Sequence, residues 1–205
     1  MKFILTLLLF LCISISSIYS QSNHKEVVLN FQKKLNEDYM NPKESPLLEK
    51  DLKIFKNHDF FPINKAYRVE AKFQKNEKPE TLLLKTTTNR LPEYDIYGLA
   101  EFKINDKTYT LKVYQSHTSR ESKEYKDYLL LPYTDLTNGD TTYGGGRYVE
   151  VKTTDIKGNT IIIDFNKSYN PYCAYNYRYS CVIPPRENDL DTKIEAGVKK
   201  YKKSR

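Results

Sequence analysis

The spacing of apolar residues changes along the chain and predicts helices first and strands afterwards. Between about residues 24 and 57, apolar side chains recur every three or four positions, which is the period of an amphipathic helix. Two helices are predicted there, separated by Asn41-Pro42, and the second opens at Ser45-Pro46. Their apolar stripes are Val28, Phe31, Leu35 and Tyr39, then Leu48, Leu52 and Phe55. Both stripes need a core to pack against, so we expect a helical cap on another layer.

From about residue 66 the apolar period shortens to two, which predicts strands with one buried face. The clearest strand alternates Tyr67, Val69, Ala71 and Phe73 with charged residues. Further strands are predicted at residues 81–87, 94–104, 109–113, 128–131, 147–151 and 160–165, and the last two are expected to form a hairpin. Closely spaced strands without helical patterns between them predict an antiparallel β-barrel or sandwich.

The predicted domain organisation is therefore mainly β. A single globular domain over residues 21–198 would comprise the helical cap at about 24–57, a β domain at about 62–188 and a short C-terminal helix at about 189–198. Residues 1–20 have the pattern of a secretory signal peptide, with Lys2 before an apolar run and Ser20 at the cleavage point. That run is short for a bilayer span. We expect export to the periplasm or the extracellular space, with no stable membrane span.

The positive charge of the chain concentrates at its end. The formal net charge is +7 at pH 7, and residues 199–205 form a basic tail that is expected to be solvated. A nucleic-acid-binding protein would more typically carry a basic stripe on a folded face. The sequence predicts no nucleic-acid partner, no cofactor and no metal site, because its histidines are scattered. A small molecule is the expected partner, and no oligomeric state is indicated.

One stretch, residues 133–188, concentrates glycine, proline and polar side chains, and it predicts a binding site. Bare glycine backbone precedes Arg147, whose guanidinium can hold a carboxylate or a phosphate. The alternative is a bulge or a close strand crossing, with Arg147 paired to an internal Asp, and the sequence favours neither. The predicted ligand-binding residues are Tyr143, Gly144, Gly145, Arg147, Asn166, Tyr169, Asn170, Tyr175 and Asn188.

Two acidic residues in this stretch are candidate catalytic groups. Asp164 ends an apolar strand and must be paired or hydrogen-bonded, with Arg147 as the expected partner. Glu187 follows Pro184-Pro185, where the stiff backbone favours a working role; the alternative is that Glu187 caps the C-terminal helix. A hydrolase-like enzyme would use one of the two as a base, with Arg147 stabilising negative charge. Asp135 and Asp140 are further acids, and no spacing selects a pair.

Tyrosines and cysteines follow in the same stretch. Tyr175, Tyr177 and Tyr179 alternate as they would on one face of a short strand, which would either stack on a ligand or form ordinary aromatic core. Cys173 and Cys181 are expected to be bridged in an exported protein. Such a bridge would add about 2.6 kcal/mol in the chain-entropy estimate.

Several motifs give the chain a family resemblance. They are SPL at 45–47, FFPIN at 60–64, YRVEAKF at 67–73, TYGGGRY at 142–148, DFNKSYNPYCAY at 164–175 and CVIPPREN at 181–188. With these motifs the chain resembles the domain of unknown function 1684 family over about residues 26–198, and it departs from the usual pattern near Lys56 to Asp59. The resemblance implies that the polar and glycine residues belong to the family pattern. It also implies that exported and cytoplasmic members share both cysteine positions, which weakens the disulfide prediction.

Three hypotheses for function follow. The first is an exported β domain that binds a small anionic or polar ligand. The second is a hydrolase-like enzyme that uses the same pocket. The third is a structural or interaction domain in which the polar residues form a buried network that fixes the fold.

Overall fold

The computed structural model describes residues 24–202. The predicted signal peptide and the end of the predicted basic tail lie outside the described residues. Helix α1 covers residues 24–40, and the short helices are α2 (Glu49–Leu52) and α3 (His117–Glu121). The strands are β1 (Arg68–Lys75), β2 (Thr81–Leu83), β3 (Glu93–Ile104), β4 (Lys107–Ser116), β5 (Tyr128–Asp135), β6 (Arg147–Lys152), β7 (Thr160–Asp164) and β8 (Asp189–Leu190).

The strands form one curled sheet in the order β6-β5-β4-β3-β1-β7, with β2 added to β3 and β8 added to β5. All pairs are antiparallel except β5 with β8. The curl brings the end strands β6 and β7 into contact without a ladder between them. Just beyond β7, Tyr169 makes a bridge to Tyr148 of β6. The molecule is therefore a half-barrel with a seam between β6 and β7, which confirms the mainly β, antiparallel prediction.

The predicted hairpin of β6 with β7 is wrong. β6 pairs with β5, where Arg147 lies opposite Tyr133, and β7 pairs with β1, where Asp164 lies opposite Arg68. Between β6 and β7, a 3-10 turn at Thr153–Asp155 carries the chain across the seam. Two strands that are neighbours in sequence thus become the two edges of the sheet, because each finds a better partner elsewhere.

The predicted helix arrangement is only partly correct. α1 has the predicted position, but only the four residues of α2 remain of the second helix. The predicted C-terminal helix at 189–198 is absent: β8 opens this segment, and Val198 bridges Phe60. Ile194, Ala196 and Val198 are almost completely buried at every second position. This period of two marks an extended segment that fills the barrel, and it is the signal that distinguishes it from a helix.

Three buried clusters hold the fold together, and two of them concern the barrel interior and the helical cap. The larger fills the concave side of the sheet, and the smaller joins the helical cap to the segment after β7 through Tyr39, Leu47, Ala174 and Tyr175. The turn between β3 and β4 has positive φ at Asn105 and Asp106, at 49° and 61°. Such angles suit a tight two-residue hairpin turn, and Ile104 pairs with Lys107 on either side of it.

Candidate functional site

Arg147, the centre of the predicted site, lies inside the barrel. Its side chain is 0% exposed, and Nη2 donates to Asp135 Oδ2 at 2.7 Å. The guanidinium also donates to the backbone oxygens of Ile194 and Ala196, at 2.8 and 2.5 Å. It lies 5.3 Å from the centre of the Tyr133 ring. Asp135, and not Asp164, is thus the partner of Arg147, and this ion pair fixes the C-terminal segment within the barrel.

Three predicted ligand-binding asparagines also turn inward. Asn188 accepts from the Lys112 amide at 2.8 Å and donates to the oxygens of Lys112 and Pro132, so it joins β4 to β5. Asn166 accepts from the Asn64 amide and donates to the Asn64 oxygen, at 2.8 and 2.9 Å. Asn170 donates to the Lys199 oxygen at 3.1 Å. These side chains replace missing strand partners, which is a structural use of an amide.

The other predicted ligand-binding residues do not share a pocket with Arg147. Tyr175 is buried among aromatic rings under α1, while Tyr169 forms the bridge across the seam. Gly144 and Gly145 are exposed, and a Cβ on Gly145 would lie 2.5 Å from Tyr143 Cε1. A side chain at position 145 would therefore displace the Tyr143 ring, which packs over the glycine. Tyr175, Tyr177 and Tyr179 lie in turns and irregular structure after the 3-10 helix Tyr172–Ala174, so the predicted short strand is wrong.

The two candidate catalytic acids lie in different surroundings. Glu187 is exposed and accepts from Lys112 Nζ at 3.0 Å. A bond from its own backbone amide, with this lysine, lowers the pKa of Glu187. Asp164 is buried, and its Oδ2 lies 2.8 Å from Nε2 of His24 in α1. Its Oδ1 accepts from the amide and side chain of Asn166, at 3.1 and 2.8 Å. Asp164 is thus a fully bonded carboxylate that holds a histidine.

The His24–Asp164 pair opens into a cleft at the seam, which we call the seam cleft. Its volume is about 690 Å³, and it is lined by His24, Val27, Lys65, Arg68, Glu150, Val151, Thr154, Asp155, Lys157, Ile162, Asp164 and Lys167. It lies on the outer face of the sheet, because β1 and β7 turn their alternate residues Val69, Ile161 and Ile163 into the core. Helix α1 forms one wall and the β6 edge another. The missing ladder between β6 and β7 creates this space.

The seam cleft carries an excess of unpaired positive charge. Lys65, Arg68, Lys157 and Lys167 all line it, and none of them forms an ion pair with a described residue. The three carboxylates in the lining already have partners. Asp164 holds His24, Asp155 accepts from the Lys152 amide at 2.8 Å, and Glu150 is hydrogen-bonded to the Tyr128 hydroxyl. Since the four cations outnumber the three carboxylates and none of them is held in an ion pair with a described residue, the cleft is suited to an anion.

Little in the sequence indicates this site. His24 lies within the predicted helical cap, and Arg68 is one of the charged residues that alternate with the apolar side chains of the clearest predicted strand. The register of β1 with β7 could have suggested the meeting of Arg68 with Asp164, but the chain was expected to pair β7 with β6. No sequence pattern indicates that His24 contacts a residue 140 positions away.

The predicted disulfide is not formed in the structure. Cys173 and Cys181 are both free thiols, each partly exposed, although the Cys173 amide donates to Cys181 Sγ at 3.1 Å. The hydroxyl of Tyr143 lies 3.8 Å from Cys173 Sγ. The prediction was correct in bringing the two residues together and wrong in joining them.

Over residues 24–202, no group of His, Cys, Asp and Glu side chains has the arrangement of a metal site. Among the helices within the same range, none has the length and apolar character required to cross a bilayer.

The fold and the site together define a small antiparallel half-barrel. Most of the polar side chains in its shared motifs are buried, and its cationic cleft lies at the seam. The chain belongs to the family described as Protein of unknown function (DUF1684), whose model matches residues 53–199. This confirms the resemblance seen in the motifs. His24 and Val27 of the seam cleft precede the matched range.

A solved structure has the same fold. The chain is similar to an uncharacterized protein of Haloarcula marismortui, determined by solution NMR, with a TM-score of 0.69 and 28% sequence identity. The match covers 88% of this chain and 96% of the other. A comparison with curated proteins gave no match.

Proposed function

We propose that this protein is an exported domain that binds a small anionic ligand in the seam cleft. The observation that carries the proposal is a set of four cations that form no ion pair with any residue of 24–202, around carboxylates that already have hydrogen-bond partners; they are Lys65, Arg68, Lys157 and Lys167. A carboxylate or phosphate would supply the missing counter-charge. Arg68 offers two parallel donors, whereas the lysines act as point charges.

The location of the ligand differs from the sequence prediction, but its chemistry does not. Arg147 was expected to hold the anion, and its two terminal nitrogens are instead bonded to Asp135 and to backbone oxygens. Arg68 takes over that role in the proposal, because it is exposed and lies opposite Asp164 on the neighbouring strand. Lys167 follows β7 and would close the cleft from the other side.

Anion binding can be tested by thermal unfolding with inorganic phosphate, acetate and citrate, each compared with sodium chloride at the same ionic strength. We expect one or more of these anions to raise the Tm of the native protein beyond the chloride control. The double variant Arg68→Ala/Lys167→Ala should lose this increase. A double variant of lysines outside the cleft, Lys123→Ala/Lys126→Ala, should keep it.

Two outcomes would refute binding in the seam cleft. In the first, the increase in Tm follows ionic strength alone for every anion. In the second, both double variants lose it equally, which would indicate general screening of a basic protein.

A second candidate function, hydrolysis of a bound anionic ester, is favoured by the His24–Asp164 contact of 2.8 Å. In the tautomer in which Nε2 of His24 donates a hydrogen bond to Asp164 Oδ2, Nδ1 is left as the basic ring nitrogen. A histidine held in this way beside a binding cleft can activate a water molecule. Asp164 was a candidate base in the sequence, and here it would instead position His24.

The two functions separate in one variant. His24→Gln removes the titratable ring, so a hydrolase should lose turnover of 4-nitrophenyl phosphate while it still binds inorganic phosphate. If the native protein releases no nitrophenol above the rate of the His24→Gln variant, the binding function stands without catalysis.

The export part of the proposal rests on residues 1–20, and it has its own test. Expression in a bacterial host should yield a processed protein outside the cytoplasm whose first residue is Gln21. An intact N-terminus in the cytoplasmic fraction would refute it without affecting the binding proposal.

A further inference from the structure

The two cysteines form a second candidate site, whose chemistry differs from that of the seam cleft. Cys173 lies in the 3-10 turn Tyr172–Ala174, and Cys181 precedes the bridge between Val182 and Thr86. The Cys173 amide donates to Cys181 Sγ at 3.1 Å, and both cysteines are free thiols. The two residues thus lie side by side but are not joined.

Separate anchors hold the two cysteines. On the Cys181 side, Thr87 exchanges two bonds with Cys181: its amide donates to the Cys181 oxygen at 2.9 Å, and its Oγ1 accepts from the Cys181 amide at 3.2 Å. Arg90 adds a bond of 2.9 Å to the Ser180 oxygen. On the Cys173 side, the amide of Ala174 donates to the Pro171 oxygen at 2.9 Å. Hydrogen bonds thus hold the backbone in place on both sides of the pair.

The surroundings favour a thiolate on Cys173. Hydrogen bonds from Cys181, and then from Tyr143 and Thr87, lower the pKa of the Cys173 thiol against the opposing effect of burial. The same contact raises the pKa of the Cys181 thiol. One proton therefore leaves the pair easily and the second is retained. This division of roles, a nucleophile beside a protonated neighbour, is the arrangement that thiol–disulfide exchange uses.

The surface around the pair is accessible and partly apolar. Cys173 and Cys181 are both partly exposed, and three large apolar side chains of the same segment are exposed near them in sequence. Tyr172, Tyr177 and Ile183 are 45%, 73% and 45% exposed. Buried structural cysteines have neither this access nor this rim.

We propose that Cys173 and Cys181 form a redox-active dithiol that exchanges with small disulfides of the type R–S–S–R. The Cys173 thiolate attacks one sulfur of the disulfide, forms a mixed disulfide and expels one thiolate R–S⁻. The Cys181 thiol then gives up its proton and attacks the Cys173 sulfur, which expels the second R–S⁻. The products are an internal disulfide and two molecules of R–SH, so the protein loses two electrons and two protons to the oxidant. The Cys173 amide stabilises the negative charge that develops on Cys181 in the second step.

The test uses the full chain with Cys12→Ser in every sample, so that only this pair reports, and oxidised glutathione as the disulfide. Intact mass should show the loss of two hydrogen atoms in the native pair, reversed by reduced glutathione. Cys181→Ser should instead accumulate one glutathione on Cys173, because no second thiol resolves it. Cys173→Ser should react more slowly than Cys181→Ser.

Alkylation by iodoacetamide at pH 7 gives a second measurement. The rate of alkylation of Cys173 is measured in the folded native protein and in the folded Cys181→Ala variant. Each rate is compared with that of the same protein unfolded in urea, where an ordinary cysteine is only a few per cent ionised at this pH. We expect Cys173 of the native protein to react at least about tenfold faster than in urea. Tyr143→Phe should reduce this factor while it leaves the thermal unfolding curve close to native.

The proposal is overturned if the native protein forms only glutathione adducts or intermolecular dimers, with no internal disulfide. It is also overturned if Cys173 and Cys181 are alkylated at the same rate as in urea. A failure here leaves anion binding in the seam cleft untouched, because the two sites share no residue.

Discussion

The interior of the barrel and the seam cleft each contain an arginine near a carboxylate, and the two regions differ in what the arginine still lacks. Arg147 is fully buried, and its terminal nitrogens are bonded to Asp135 and to the backbone of the C-terminal segment. Arg68 is exposed, and the nearest candidate carboxylate in register, Asp164, is already held by His24. An arginine whose terminal nitrogens are bonded within the protein stabilises the fold, whereas an arginine without an ion-pair partner at a cleft is available to a ligand. The two arginines are therefore distinguished by the bonds that they already make, and not by residue type or sequence motif.

The largest expected effect comes from removing the buried charge. Arg147→Met leaves Asp135 buried without its partner and the oxygens of the C-terminal segment without donors. We expect the free energy of unfolding to fall by about 3–5 kcal/mol. Urea denaturation should show this as a shift of the midpoint, or as a protein that no longer folds. The matched change Arg68→Met at the seam should alter stability by no more than about 0.5 kcal/mol.

Equal losses in the free energy of unfolding for Arg147→Met and Arg68→Met would contradict the difference between the two arginines. The variant Arg147→Lys tests whether the charge alone is enough. A lysine keeps the charge but not the planar fork, so this variant should still be clearly less stable than the native protein.

His58 extends the comparison to a buried titratable group that has no charged partner. It is 5% exposed and is packed among Tyr39, Phe55 and Tyr175, with Asn36 Oδ1 2.7 Å from its Nδ1. Burial lowers the pKa of His58 from 6.5 to about 4. The unfolded chain therefore binds a proton at a higher pH than the folded chain does.

It follows that the native protein loses stability as the pH falls from about 6.5 through 4, by up to about 3 kcal/mol. His58→Phe keeps an aromatic ring and the backbone bond to Asn36, and it removes the titration. The variant should show a flatter stability curve over this pH range in urea denaturation. A curve parallel to that of the native protein would show that His58 does not carry the acid sensitivity.

The buried asparagines give a smaller effect than the buried charge. Asn188→Ala leaves the Lys112 amide and the oxygens of Lys112 and Pro132 without their bonds. We expect a loss of about 1–3 kcal/mol in the free energy of unfolding. Asn89→Ala, at an exposed position, is the matched control and should be close to neutral. If Asn188→Ala is equally neutral, water replaces the amide and Asn188 is free for another role.

The sequence predicted the parts of this molecule that depend on local pattern. The period of two located most of the strands. It failed where the outcome depended on which distant partner a segment would find. Residues 189–198 contain apolar side chains that suit a helix, yet the open interior of the barrel and the guanidinium of Arg147 hold them extended.

The same limit explains the candidate site. The motifs correctly marked residues with unusual environments, but a buried polar residue and a ligand-binding residue have the same signature in sequence. Asn166, Asn188 and Arg147 all proved internal. The seam cleft, by contrast, is assembled from a helix, two sheet edges and a turn, and its cations look like ordinary surface charges in the sequence.

The smallest expected effect is also opposite in sign. Because the four cations of the seam cleft outnumber its three carboxylates and form no ion pair with a described residue, repulsion among them should outweigh attraction, and neutralising one should stabilise the folded chain at low salt. Arg68→Gln should therefore raise the free energy of unfolding by about 0.2–0.5 kcal/mol in a buffer of about 0.01 M ionic strength. In about 1 M sodium chloride, where the screening length is about 3 Å, the gain should vanish. Lys123→Gln, outside the cleft, controls for the loss of one positive charge from the whole protein. A stabilisation that persists in high salt, or that Lys123→Gln reproduces, would mean that the cleft is not a focus of positive potential and that its cations are ordinary solvated side chains.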